Sequence, residues 1–352
     1  MQVDELDTPC VLIDLDRMER NLTRFQAYCD AEGLRNRPHV KTHKIPEFAR
    51  LQVELGARGI TCQKLGEAEV MADAGIDDIF LPYNLVGDRK LRHAVALARR
   101  VTLSLSCDSA VVAEGLSAAF TDAGETVALL VECDTGAARC GVQSPKAAAE
   151  LARVIDRLPG VAFAGLMTYP PPGHQPQVQA FLADAIAECA AAGLAVDVVS
   201  NGGSPDMWSA RAVTAATEHR AGTYIYFDRS QVMMGAATLD DCAMTIRATV
   251  VSRPTADRVI IDAGSKTYSS DTLGLEGFGH VLEYPAARLP SMSEEHGHLD
   301  FSAETGRPAI GEALTVIPNH ACVVSNLHDA VNGVRGGEVE RTYRVAARGR
   351  VA

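Results

Sequence analysis

The stretch Arg37-Pro38-His39-Val40-Lys41-Thr42-His43-Lys44 sets one arginine, two lysines and two histidines within eight residues. A lysine crowded by other cationic groups loses its proton more readily, and the free amine is a nucleophile towards a carbonyl. Lys41, expected at the mouth of a strand, is the leading candidate; the competing reading is a solvated basic patch. A second segment, Ser200-Asn201-Gly202-Gly203-Ser204, has the makings of an anion site. Adjacent glycines let backbone N–H groups approach a phosphate, and Ser and Asn add donors; the alternative is a plain turn. A reactive lysine beside a phosphate loop, with no Walker or GxGxxG pattern, suggests pyridoxal 5′-phosphate (PLP), its aldehyde held by Lys41 as a Schiff base.

Three further segments carry groups that suit such a site. In Asp134-Thr135-Gly136-Ala137-Ala138-Arg139-Cys140-Gly141-Val142, Arg139 is a planar cation able to meet the cofactor ring or its phenolic oxygen, or to pair with Asp134. Met167-Thr168-Tyr169-Pro170-Pro171-Pro172-Gly173-His174 is stiffened by three prolines, which suits Tyr169 packed beside a cofactor and His174 presented to a substrate. In Ile317-Pro318-Asn319-His320-Ala321-Cys322, imidazole and thiol stand two positions apart, and on an extended chain both would face one metal ion. Two protein ligands leave positions open for water or substrate. A buried Cys beside a hydrogen-bonded His is the other reading.

The elements that must position these groups follow from the pattern of the chain. Strands are expected at 37–43, 59–63, 78–83, 101–107, 127–134, 162–169, 196–200 and 218–224, with amphipathic helices between most of them, as at 65–74, 91–99, 110–123, 145–158 and 177–192. Eight such units in about 200 residues fit an α/β fold of the (β/α)8 TIM-barrel type. A barrel places its chemistry at the C-terminal ends of the strands, where Lys41, Gln63, Arg139, Tyr169, the Ser200 to Ser204 loop and Tyr224 all fall. After about residue 240 the long helical patterns stop, and strands are expected at 243–253, 258–262, 280–284, 313–317 and 341–350. The division expected is a PLP-binding barrel at 16–238 and a mostly β domain of 1–15 plus 239–352.

With 352 residues, 47% hydrophobic and 22% charged, the composition is that of a soluble globular enzyme-sized chain. A net charge of −12 argues against nucleic acid or an anionic membrane as partner. No apolar run approaches the roughly 20 residues a bilayer demands. The N-terminus lacks the character of a signal peptide. Nine scattered cysteines without a CxxC pair favour reduced thiols in the cytoplasm.

Taken together the segments resemble the fold-type III PLP enzymes of the D-threonine aldolase and D-serine dehydratase group, whose barrel is related to that of bacterial alanine racemase. The resemblance rests on the Arg37 to Lys44 octamer, Gly59-Ile60-Thr61-Cys62, Asp134-Thr135-Gly136 with Arg139-Cys140-Gly141, the Ser200 to Ser204 loop and Gly222-Thr223-Tyr224-Ile225-Tyr226. Ser293-Glu294-Glu295-His296-Gly297 and Pro318-Asn319-His320-Ala321-Cys322 complete it. It implies Lys41 as the Schiff-base lysine, Ser200, Asn201, Gly202, Gly203, Ser204 and Tyr224 near the phosphate, Arg139 and Tyr169 around the ring, and His320 and Cys322 as ligands of a divalent metal (Zn2+ or Mn2+). It also implies a homodimer acting on small D-amino acids.

The activity expected is cleavage of β-hydroxy D-amino acids to glycine and an aldehyde, with His174 or a metal-bound hydroxide as the base. The alternative is a D-serine or D-3-hydroxyaspartate dehydratase giving a 2-oxo acid and ammonia; a racemase or a non-catalytic PLP carrier stands behind both. The Ser-Glu-Glu-His-Gly segment tips the choice towards aldolase, whereas His-x-Cys is the commoner metal pair in dehydratases.

Overall fold

Val127–Cys133 is hydrophobic on both faces, with Val127, Leu129, Leu130, Val131 and Cys133 all buried. A strand of this kind belongs in a parallel sheet covered on both sides. The computed structural model describes residues 1–352. In it this strand is the fifth of eight parallel strands: Arg35–Asn36, Ile60–Thr61, Asp78–Leu81, Thr102–Cys107, Val127–Cys133, Val161–Thr168, Val198–Asn201 and Glu218–His219. Strand one pairs with strand eight, and eight through two follow in order. A parallel bridge between His39 and Thr61, with Thr61 N–H donating to Pro38 O at 2.8 Å, closes the ring into the expected (β/α)8 barrel.

Helices at Leu65–Asp73, Asp88–Ala98, Ala110–Asp122, Pro145–Arg157 and Gln175–Ala191 follow strands two to six. Pro145–Arg157 shows the local cause: Pro145 opens it, Ser144 Oγ accepts from Ala147 N–H at 3.2 Å, and Ala148, Leu151, Ala152 and Ile155 form its buried stripe.

Two expected strands are corrected. Residues 37–43 do not form one throughout: the strand proper is Arg35–Asn36, backbone bonds continue only as far as His39, and Val40–Thr42, with Lys41 at its centre, is a 3-10 turn. Pro38 has no N–H for a ladder, and the His39 bridge ends the pairing. Residues 218–224 are a strand only at Glu218–His219; Gly222 N–H donates to Ser204 Oγ at 3.0 Å, and Thr223–Ile225 is a second 3-10 turn. Tyr224 therefore does not close strand eight.

The chain divides into two compact units. Phe25–Lys41, Phe48–Gly222 and Arg350–Ala352 form the unit that holds the barrel; Met1–Arg24, Thr42–Glu47 and Thr223–Gly349 form the other. The second unit is built on a nine-stranded sheet. Its central strand, Met244–Ser252, buries Met244, Ile246, Ala248 and Val250 on one face, the alternation of a half-covered sheet. Cys10–Asp14 joins this sheet, antiparallel to Met244–Ser252 and parallel to Ala330–Arg335. The strands Arg288–Met292, Gly297–Asp300 and Ala330–Arg335 were not anticipated; Pro290 and Gly333 interrupt the pattern that would reveal two of them.

Strand six carries a bulge where its register against strand five shifts, and Gly165 sits there with φ +149. A Cβ at Gly165 would lie 1.9 Å from Val198 O. Gly165→Ala is therefore expected to destabilise the barrel by about 3 kcal/mol, at the upper end of overpacking costs, measured by denaturant unfolding.

Candidate active site

At the C-terminal rim of the barrel, Lys41, His39, Gln63, Pro82, Arg139, Met167, Tyr169, Gly202 and Arg220 line one cavity of about 310 Å3. They come from seven different strand ends or loops, which is how a barrel assembles a site. Five of the expected residues, Lys41, Gln63, Arg139, Tyr169 and Gly202, are thus brought together. Arg139 is half-exposed, with its guanidinium 5.1 Å from the centre of the Tyr169 ring and 3.7 Å from Glu132 Oε1. It does not pair with Asp134, whose carboxylate instead accepts from Gly136 and Ala138 N–H groups and shapes the loop.

Arg220 and His39 were not singled out from the sequence. Arg220 is buried, donating to Ser200 Oγ at 2.6 Å and to Thr168 O at 2.7 Å. Burial pulls its pKa down to about 10, opposed by the carboxylates of Glu218 and Glu132, so it remains a cation at neutral pH. A charged triplet, Glu218-His219-Arg220, at the end of a buried strand was the available signal: such charges survive only when paired inside a barrel. Burial, and then the charge of Lys41, push the His39 pKa well below its ordinary value; the neutral ring pairs with Gln63 Oε1 at 3.0 Å.

Ser200 is corrected. It is fully buried, its hydroxyl donates to Glu218 Oε1 at 2.5 Å and accepts from Arg220, and so it braces the cation instead of facing a phosphate. Ser204 Oγ accepts from Gly222 N–H, joining the loops after strands seven and eight. Asn201, Gly202 and Gly203 line a neighbouring cavity of about 380 Å3 that shares Tyr169. His174 is exposed at the start of Gln175–Ala191, its Nδ1 2.9 Å from Pro172 O, and is not among the residues lining the cavity of Lys41. Tyr224 is buried in the other unit.

These residues fit PLP. The cavity offers an amine and two guanidinium groups, and a Cβ on Gly202 or Gly203 would strike His219 at 2.0 Å or Tyr169 at 2.7 Å, so only glycine lets the backbone pass.

In the other unit the His320 and Cys322 pair is close, but not on an extended chain. His320 caps the helix Ala321–Leu327, and Cys322 lies in its first turn. The reason is Asp228, whose buried carboxylate accepts from Ala321 N–H at 2.9 Å and so starts that helix. His320 Nδ1 lies 2.7 Å from Asp271 Oδ2, and Thr42 Oγ1 lies 3.2 Å from Cys322 Sγ. Burial works against the charged ring, but its hydrogen bond to Cys322 and the thiolate's charge, with Asp271, hold His320 up at about 9. Burial raises Cys322, and the same His320 contact, with Thr42, brings it below an ordinary thiol. An imidazole oriented by a carboxylate beside a thiolate is a donor set that suits zinc or a similar ion. No third His, Cys, Asp or Glu joins them in a metal-holding group.

Known proteins share this architecture. Residues 13–230 match the alanine racemase N-terminal domain, and residues 243–334 match a putative serine dehydratase domain. A D-threonine aldolase of an Arthrobacter species is 34% identical over 98% of this chain and 93% of its own length. The D-threo-3-hydroxyaspartate dehydratase of Delftia sp. (strain HT23) is 35% identical over 90% of this chain and 91% of its own. The crystal structure of D-threonine aldolase from Filomicrobium marinum superposes with a TM-score of 0.93 at 32% identity, covering 100% of this chain and 98% of that one.

The chain belongs to the alanine racemase-like family of D-threonine aldolases and 3-hydroxyaspartate dehydratases. The enzyme is accordingly a PLP-dependent lyase. Two buried neutral histidines lie in the barrel unit, His39 and His219, the latter brought down to about 4 by burial and by the charge of Arg220 against a hydrogen bond to Gly203 O.

A histidine whose folded pKa lies below its unfolded value near 6.5 binds fewer protons when folded, so the stability it contributes is present above that value and is lost as pH falls. Denaturant unfolding is expected to show up to about 3 kcal/mol of His219-linked stability lost between pH ~6.5 and pH ~4. His219→Gln should flatten that part of the profile; an unchanged slope would mean that the ring is protonated when folded.

Proposed function

We propose that the enzyme cleaves β-hydroxy D-amino acids to glycine and an aldehyde, holding PLP on Lys41 and a divalent cation, zinc or manganese, on His320 and Cys322, as a cytoplasmic homodimer. The observation that carries the reading is the single cavity in which Lys41 meets Arg139, Arg220 and Gly202. Bound PLP supplies an electron-withdrawing ring that weakens the bonds at an amino acid's Cα, and a divalent cation supplies Lewis acidity towards a hydroxyl.

The chain's own residues do the rest. Lys41 anchors the aldehyde through its amine. Arg220, fixed by Ser200 and Thr168, presents a cation that cannot swing away, and Arg139 adds a second one at the rim. Gly202 and Gly203 let backbone N–H groups serve the phosphate. Tyr169, 39% exposed beneath Arg139, covers the mouth of the cavity and reduces access of water to it. Retro-aldol cleavage needs a base for the β-hydroxyl proton. His174 is the candidate this chain offers: it stands outside the lining of the Lys41 cavity, in the same loop as Tyr169, and its Nδ1–H donates to Pro172 O, which leaves the lone pair on Nε2. His174→Gln is then expected to lower kcat by about 10²-fold without changing PLP binding.

Elimination to a 2-oxo acid and ammonia is the second reading, favoured by the thiol in the metal pair and by the 35% identity to a dehydratase. D-threonine separates the two. Acetaldehyde and glycine in equal amounts are expected; 2-oxobutyrate and ammonia would make the enzyme a dehydratase. Lys41→Ala should remove the visible absorbance of lysine-bound PLP along with turnover, and a band that survives would put the anchor elsewhere.

Cys322→Ala should abolish activation by Zn2+ or Mn2+ while leaving the PLP absorbance in place. Asp271→Asn, which only loosens the His320 ring, should weaken metal activation about 10- to 100-fold. Full activity after exhaustive chelation would exclude the metal from the reaction.

A further inference from the structure

Behind the Gly202-Gly203 turn stands a histidine that the chemistry above does not use. His219 Nε2 lies 2.9 Å from Gly203 O, and because a carbonyl can only accept, the proton sits on Nε2. Gly202 has φ +85, and its missing Cβ is the space the imidazole occupies. Phe25 packs against the ring at 5.8 Å and an angle of 67°, and Trp208 packs edge-on against Phe25 at 5.9 Å. The imidazole is thus held in place by packing, with its one donor committed to the glycine turn.

The remaining nitrogen points to a second device. Asn201 and His219 are register partners on strands seven and eight, 3% and 1% exposed, and both line the cavity of about 380 Å3 that also borders Gly202, Gly203 and Tyr169. Asn201 Oδ1 and His219 Nδ1 are both buried without a hydrogen-bond partner. Two acceptors side by side cannot satisfy each other, and each needs a donor. A water molecule has two O–H groups and matches the pair.

We propose that His219 is a positioning residue for the cofactor phosphate: backed by a water shared with Asn201, its neutral imidazole clamps Gly203 O and holds the Gly202-Gly203 backbone in its phosphate-binding form. This rests on the reading that the glycine turn serves the phosphate of PLP, and it assigns the ring a role in binding, not in proton transfer.

Titrating the apoenzyme with PLP and, separately, with pyridoxal tests it, because pyridoxal has the aldehyde but no phosphate. His219→Phe keeps a flat ring beside Gly202 but cannot donate. It is expected to lower the affinity for PLP about tenfold, the size of one lost hydrogen bond, and to leave the affinity for pyridoxal unchanged. His219→Gln, which retains a donor of similar reach, restores PLP affinity. His219→Asn, polar but too short to reach Gly203, gives the same selective loss and serves if the Phe variant does not fold. Equal losses for both compounds, or none for either, would overturn the proposal. A wild-type enzyme that binds pyridoxal as tightly as PLP would remove the phosphate assignment of the turn itself, a failure visible before any variant is made.

Discussion

A line of buried charge runs through the barrel, and the geometry of the cavity depends on it. Arg37 donates to Glu218 Oε2 at 2.9 Å and to Asp78 Oδ1 at 2.6 Å; Glu218 Oε1 accepts from Ser200, and Ser200 accepts from Arg220. Charges taken out of water are tolerable only when every member is paired and hydrogen-bonded, and removal of one leaves its neighbour stranded at a cost of roughly 3–5 kcal/mol. The network therefore behaves as a unit. Its end in the cavity is a cation, Arg220, whose position is set by strands one, seven and eight through Glu218 and Ser200. Barrels commonly fill this space with branched apolar side chains; here it is given over to holding one guanidinium still at the cavity wall.

Around that cation the backbone is shaped by residues with narrow conformational choices. Strand pairing stops at His39, just past Pro38, so the chain turns and Lys41 emerges from a 3-10 turn at the rim. Asp134 folds its own loop through Gly136 and Ala138, which brings Arg139 over Tyr169. Gly202 passes where any side chain would meet His219. Each device is local, yet each delivers a group to the same 310 Å3. In the other unit Asp228 does the comparable work, starting a helix at Ala321 so that His320 and Cys322 face one another across its first turn.

Much of this was legible in the chain. The strands at Val127–Cys133 and Val161–Thr168 were placed to within about one residue, because long, nearly unbroken apolar runs leave little ambiguity. Lys41, Arg139, Tyr169 and Gly202, singled out because their residue types carry the chemistry, line one cavity. What could not be read was orientation. In 37–43, apolar and polar residues alternate as in a strand, but pairing needs a neighbour with free backbone groups, and Pro38 withholds one. Ser200 was taken for a phosphate donor because inward and outward residues of a four-residue strand are indistinguishable without register; Glu218, its register partner, settles the matter. His320 and Cys322 come together through a helix whose first N–H, that of Ala321, is held by Asp228, 93 residues earlier in the chain. Short-range patterns do not contain that contact.

Lys41 is the proposed attachment point for PLP. Reduction of the PLP-bound enzyme with borohydride, followed by tandem mass spectrometry of its peptides, locates the covalent adduct directly. The pyridoxyl group is predicted on Lys41 alone; its recovery on Lys44 or Lys64, or no adduct on any lysine, would contradict it.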